Sequence, residues 1–228
     1  MAQRQRGDAL ADGRARQRLL QGLEALQLNL DSGQTEQLLA YLALLAKWNR
    51  AYNLTAVDDP LDMVSLHLLD SLSIIPWLAG ERFIDVGTGP GLPGIPLAIA
   101  LPERHFTLLD SNGKRVRFLF QVRTALGLTN VSEVKDRAES HRVDTPFDGI
   151  ISRAYSAIGT MIASTAHLLA ADGRFYAMKG RLPGNLPGEE LSALPKPYIV
   201  TGTHRLQVPG IDGERHLIEI GTAPGAAH

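Results

Sequence analysis

The stretch Asp85-Val86-Gly87-Thr88-Gly89-Pro90-Gly91, with Gly94 three residues on, sets a carboxylate beside residues that let backbone approach a ligand. Glycine accepts positive φ and carries no Cβ, so a loop of this kind after an apolar strand can hold a nucleotide-like ligand against main-chain atoms. Two cofactor classes compete for it. Gly89-Pro90-Gly91-Leu92-Pro93-Gly94 satisfies the Gly-x-Gly-x-x-Gly string of dinucleotide sites, which alone is weak evidence. A dinucleotide would bring a doubly negative pyrophosphate next to Asp85, whose carboxylate repels it. S-adenosylmethionine (SAM) brings an ammonium and a sulfonium, both cationic, which the same carboxylate attracts. The motif therefore favours SAM. Asp110 ends the next apolar run, where a carboxylate can accept hydrogen bonds from both ribose hydroxyls. A capping role for Asp110 is the alternative, but Ser111 and Asn112 already offer caps there.

Four cations fall near other expected strand ends. Lys114 opens a helix, where its charge opposes the macrodipole. Arg137 follows a third strand, with Glu139 close behind. Arg153 follows Ile150-Ile151-Ser152, and Lys179 follows Met178. On a parallel sheet these ends share the edge that carries the glycine loop. Lys114, Arg137, Arg153 and Lys179 are thus expected to rim the cofactor crevice and to suit a phosphodiester substrate. One such residue alone would read as solvated surface, as Lys47, Arg50, Arg115, Arg117 and Arg123 do.

The elements that must position these groups follow from the apolar pattern. Leu19, Leu20, Leu23 and Leu26 recur at helical spacing, as do Leu38, Leu42, Leu45 and Trp48 after Asp31-Ser32-Gly33. Asp59-Pro60 reads as an N-cap with proline at the first helical position, opening a third helix that ends before Pro76. From residue 82 the pattern alternates. Strands are predicted at 82–86, 105–109, 130–134, 147–151 and 174–178, and helices at 94–101, 114–126 and 156–170. Residues 181–197 read as a loop, and 198–208 and 214–220 as a closing strand pair. The expected fold class is α/β: a Rossmann-like, mostly parallel sheet of seven strands with a C-terminal antiparallel hairpin. Residues 1–78 would form a helical region packed on a core of 79–228.

Composition narrows the function classes. The chain has 228 residues and a formal net charge of −1, so any nucleic-acid footprint must be local. It contains no cysteine, which excludes disulfides and thiolate chemistry and fits a reducing, cytoplasmic setting. The seven histidines show no ligand spacing, so no metal site is expected. No apolar run suits a membrane span, and the arginine-rich start lacks the apolar core of a signal peptide. That start reads as a frayed terminus. Nothing points to obligate dimerisation, and a monomer is expected.

Several stretches resemble one family. Lys47-Trp48-Asn49, Asn53-Leu54-Thr55, His67-Leu68-Leu69-Asp70-Ser71-Leu72, 85–96, 109–115, Arg137-Ala138-Glu139, 147–154 and Met178-Lys179-Gly180 match the RsmG (GidB) family of bacterial rRNA methyltransferases. The glycine motif is generic to methyltransferases, whereas 109–115 and Ser152-Arg153-Ala154, taken with His67 to Leu72, are more specific. Tyr155 departs from the phenylalanine of the family pattern. The resemblance implies SAM-dependent N7-methylation of one guanine in 16S (small-subunit) rRNA near the decoding centre, with no DNA or membrane partner. It implies SAM contacts at Gly87, Leu92, Ala138, Glu139 and Arg153, and places Lys114, Arg137, Arg153 and Lys179 around the reaction crevice.

Guanine N7 carries an in-plane lone pair, so such a reaction needs alignment rather than a general base. Two other readings stay open on sequence: methylation of a non-rRNA substrate, and a ribosome-associated factor that holds SAM without catalysis.

Overall fold

A computed structural model describes residues 13–153, 157–180 and 194–223. Two helices open this part of the chain. Helix α1 (Arg14–Ala25) buries Leu19 and Leu23, and α2 (Ser32–Tyr52) buries Leu38, Tyr41, Leu42 and Leu45 along one stripe. The start of α2 is a capping box. Asp31 accepts from the Gln34 N–H at 2.7 Å, and the Gln34 side chain accepts from the Asp31 N–H at 2.9 Å. Helix α3 (Pro60–Met63) starts as expected, with Pro60 in the first turn and Asp59 accepting from Leu61 and Asp62. It then departs from the simple helix expected there. It runs through a π-helical turn (Val64–Leu69) into α4 (Asp70–Leu72). Such turns recur at functional sites.

The sheet contains β1 (Arg82–Val86), β2 (His105–Asp110), β3 (Val131–Lys135), β4 (Phe147–Ser152), β5 (Leu169–Lys179), β6 (Tyr198–Arg205) and β7 (His216–Thr222). Their order is β3-β2-β1-β4-β5-β7-β6, with β1 to β5 parallel. Strand β7 inserts antiparallel between β5 and β6, giving the seven strands and closing hairpin expected from sequence. Helix α5 (Gly94–Ala100) links β1 to β2, α6 (Gly113–Leu126) links β2 to β3, and α7 (Ile158–Thr165) precedes β5. Strand β5 starts earlier than expected. Leu169 pairs with Phe147 and Arg174 with Gly149, so Asp172-Gly173 lies in an irregularity within the strand rather than in a turn before it. The predicted helix start at Ser156 and most of the 181–197 loop lie outside the described residues.

The N-terminal helices share a core with one face of the sheet. Leu23, Leu42, Leu45 and Leu69 belong to the same buried cluster as Phe83, Phe106 and Tyr176. Gln34 and Gln37 also bind carbonyls that end neighbouring helices: Ile99 and Ala100 on α5, and Leu126 on α6. Carbonyls that the last helical turns would leave unpaired thus pin the start of α2 to the C-terminal ends of α5 and α6. No helix among the described residues is long and apolar enough to cross a membrane.

Candidate active site

Strand β1 delivers Asp85 into the interior, where only 1% of its surface is exposed. Its Oδ2 accepts from Thr88 Oγ1 at 2.6 Å and from the Gly94 N–H at 2.8 Å, so one oxygen ties both ends of the glycine loop. Oδ1 has no hydrogen-bond partner. Burial pushes the carboxyl pKa up to about 6, against the pull of the Thr88 and Gly94 hydrogen bonds and of the Arg153 charge. The glycines differ in their work. Gly87, Gly89 and Gly91 have φ of 69°, 61° and 98°. A Cβ on Gly89 would meet nothing, whereas one on Gly91 would strike Ile95 and Leu119, and one on Gly94 would strike Leu108 and Asp85. Gly87 and Gly89 therefore shape the open side of the turn, and Gly91 and Gly94 let α5 lie close to the sheet. Behind the loop, the Tyr41 hydroxyl donates to the Pro90 carbonyl at 2.9 Å.

A cavity of about 250 Å³ lies at the ends of β1, β2 and β3. Gly87 and Asp110 form one side, and Asp136, Arg137, Ala138 and Glu139 another. Asp110 is buried. Its Oδ2 accepts from the Gly89 N–H at 3.0 Å and from Arg115 Nη1 at 3.1 Å, and its Oδ1 from the Asn112 N–H at 2.8 Å. A carboxylate offers about four acceptor positions, so Oδ1 keeps one beyond these contacts. The cap of α6 is Asn112, which accepts from the Lys114 N–H at 2.9 Å.

A second cavity, of about 340 Å³, lies between the π-helical turn, the end of β5 and the β6–β7 connection. Arg153, at the end of β4, donates through Nη1 to the Leu66 carbonyl at 2.9 Å and to Asp70 Oδ2 at 3.3 Å. Arg215 Nε donates to the other oxygen, Asp70 Oδ1, at 3.1 Å. Burial raises the Asp70 carboxyl above its ordinary value, and the two guanidiniums oppose that rise. His67 Nε2 lies 2.9 Å from Thr55 Oγ1. Burial, and then the Arg153 charge, lower the His67 pKa to about 4, so the ring is neutral at pH 7.

The groups singled out in the sequence are distributed over both cavities. Gly87, Asp110, Arg137, Ala138 and Glu139 line the first, and Arg153 and Lys179 line the second. Asp85 and Gly89 lie behind them in the loop. Leu92 is 3% exposed and joins the apolar core instead of lining either of these cavities. Gly91 packs against α5 and α6. Lys114 is exposed on the first turn of α6 and lines neither of the two. Arg115, read as surface in the sequence, instead lines the first cavity and pairs with Asp110. The first turn of α6 points it back at the end of β2, a signal that was present in the spacing. Asp70 and Arg215 were also missed as site residues. They stand 145 positions apart, and no local pattern joins them.

This arrangement has relatives. The family model described as "GidB: rRNA small subunit methyltransferase G" matches residues 34–218. The chain belongs to this family. Ribosomal RNA small subunit methyltransferase G of Saccharophagus degradans is 54% identical over 219 residues, covering 95% of this chain and 96% of that protein. The protein of the same name from Escherichia coli (strain K12 / DH10B) is 53% identical over 193 residues, covering 85% and 91%. Among solved structures, a ribosomal protein L11 methylase from Lactobacillus delbrueckii subsp. bulgaricus superposes with a TM-score of 0.51. It is 17% identical and covers 68% of this chain and 76% of that one, a likeness of fold alone.

Proposed function

We propose that this chain transfers the methyl group of SAM to N7 of a guanine in small-subunit (16S) rRNA, near the decoding centre. The observation that carries the reading is the pair of cavities on one sheet edge. A carboxylate-lined one beside the glycine loop suits a nucleoside, and a cation-lined one suits a second reactant.

The residues fit the cofactor. Asp85 Oδ1 is a buried acceptor without a protein partner, which suits an ammonium group. Asp110 Oδ1 keeps a position for one ribose hydroxyl, and Arg115, itself partly exposed, can yield the other oxygen. Ala138 and Glu139 bound the far end of the cavity, where an adenine would lie. When bound, SAM supplies an electrophilic methyl on a sulfonium centre.

Everything else falls to alignment. Guanine N7 needs no deprotonation, so the chain's task is to hold the base and exclude other orientations. An arginine bound bidentately to O6 and N7 would block the reacting atom. Arg153 commits Nη1 to the Leu66 carbonyl and Asp70, which ties its guanidinium to the π-helical turn. Lys114 and Arg137 supply positive charge for the RNA backbone, and Lys179 supplies it within the second cavity. The test is incubation with methyl-labelled SAM and either small ribosomal subunits or naked 16S rRNA. Label is expected in the RNA of at least one of them, and none in either would overturn the proposal.

A further inference from the structure

The end of α2 and the first turn of α6 meet beside the cofactor cavity. Gln37, early in α2, donates to the Leu126 carbonyl at the end of α6, at 2.9 Å. Further along α2, the rings of Tyr41 and Trp48 lie 6.5 and 5.5 Å from that of Phe118. The two helices therefore run antiparallel, and Tyr52, the last residue of α2, comes beside the start of α6. Lys114 precedes Phe118 by one helical turn and Tyr52 follows Trp48 by one, so both extend the same contact face. Arg115, next to Lys114, lines the first cavity.

Aromatic rings climb here from core to surface. Phe118 is fully buried, Trp48 is half-buried, and Tyr52, 5.2 Å from Trp48, is 40% exposed. The charge around them is of one sign. Helix α6 carries Lys114, Arg115, Arg117 and Arg123 and no acid. The last two turns of α2 carry Lys47 and Arg50, and its acid, Glu36, lies at the other end. Arg115 and Arg123 are paired. Among the described residues, no carboxylate pairs with Lys47, Arg50, Lys114 or Arg117.

An exposed ring among cations that lack carboxylates suits single-stranded nucleic acid, whose bases stack on the ring while its phosphates meet the charges. A duplex offers no free base face to such a ring. Continuity with the cofactor cavity through Arg115 favours the substrate over a separate protein partner. We propose that this surface binds an unpaired strand of the RNA that flanks the target guanine. One base stacks on Tyr52, Trp48 supports that ring from behind, and Lys114 and Arg117 take the neighbouring phosphates. The inference rests on the RNA methyltransferase reading and adds the state of the substrate, which is single-stranded on this side of the enzyme.

The test uses the full chain carrying Trp77→Phe, which leaves Trp48 as the one tryptophan. A short oligoadenylate is expected to quench Trp48 fluorescence, and its duplex with oligouridylate to do so far less. Tyr52→Ala, checked for thermal melting and SAM binding, should weaken oligoadenylate binding by about 5- to 150-fold, the worth of one stacked base. Tyr52→Phe should restore it. The salt slope should stay the same in Tyr52→Ala, and Arg117→Ala should lower it by about 0.7, the share of one phosphate on a single strand. Phe120→Ala is the control. Phe120 is also exposed, but it stands two residues from Phe118 and so on the opposite side of α6.

The inference is overturned if Tyr52→Ala binds oligoadenylate as the wild type does, if Phe120→Ala loses as much, or if Arg117→Ala leaves the salt slope unaltered. No quenching of Trp48 by oligoadenylate at millimolar concentration would overturn it as well. A Tyr52→Ala defect confined to methylation of small subunits, with naked rRNA unaffected, would assign the surface to a ribosomal protein instead. Absence of RNA methylation by the wild type would defeat the proposed function, while Trp48 would still report on strand binding.

Discussion

Replacing Asp85 by Asn should stabilise the ligand-free protein and weaken its hold on SAM, two effects of opposite sign from one atom. Burial lifts the Asp85 pKa from the ordinary 3.8 to about 6. Between those values the folded state binds the extra proton, so stability from this group falls as pH rises. The loss is complete above about pH 6 and amounts to about two pKa units, or roughly 3 kcal/mol at neutral pH. Asparagine removes the charge and can still accept from Thr88 and Gly94 through its oxygen. Without ligand, Asp85→Asn should therefore gain up to about 3 kcal/mol at pH 7.5, a rise of roughly 6–12 °C in melting temperature for a chain of this size. The gain should be about half as large at pH 5, where wild-type Asp85 is mostly protonated. SAM affinity should fall by about 1–3 kcal/mol, the worth of a charge-assisted hydrogen bond. Wild-type affinity should also rise with pH through 5 to 6, and that of the variant should not. Thermal melts and titration calorimetry at the two pH values check both effects. An Asp85→Asn protein that is less stable than wild type at pH 7.5 and binds SAM equally well would refute the reasoning.

Asp70→Ala leaves two guanidiniums facing each other without their carboxylate and should cost about 1–3 kcal/mol in urea denaturation, less than a fully buried pair because both arginines reach solvent. Gly91→Ala should destabilise by about 1–3 kcal/mol, since the new methyl strikes Ile95 and Leu119 at a positive φ. Gly89→Ala, strained but with open space, should cost less, and melting of the two variants side by side checks the order. Lys179→Ala should lower kcat with SAM affinity kept, because this residue lines the second cavity. Lys114→Ala should raise the KM for RNA and reduce its salt slope by about 0.7–0.9 with kcat unchanged, as for a lost phosphate contact; steady-state kinetics across salt concentrations separate the two.

The sheet was legible because each strand-to-helix change coincides with a change of apolar period and a turn residue, as at Gly87 and Asp110. The closing hairpin was legible for the same reason. The π-helical turn was not, since Val64 to Leu69 keep an apolar helical pattern and a one-residue widening leaves no compositional mark. The first cavity follows chain order along β1, β2 and β3, so Gly87 and Asp110 could be named from strand ends, while Ala138 and Glu139 came from the family resemblance and Arg115 was read as surface. The second is assembled from Asp70, Arg153 and Arg215, which meet only after the sheet has formed. Spacing carries no information about such a meeting. Leu92 shows the converse limit: the family resemblance implies a ligand contact there, and its side chain packs in the core.

The proposed reaction is defined by the atom that receives the methyl group. Small ribosomal subunits and naked 16S rRNA from cells lacking this enzyme, incubated with methyl-labelled SAM and then digested to nucleosides, test it most directly. The account predicts label in N7-methylguanosine at one guanine per rRNA, removed by Asp110→Ala. Label in another nucleoside, or none in either substrate while SAM binding is intact, would contradict it.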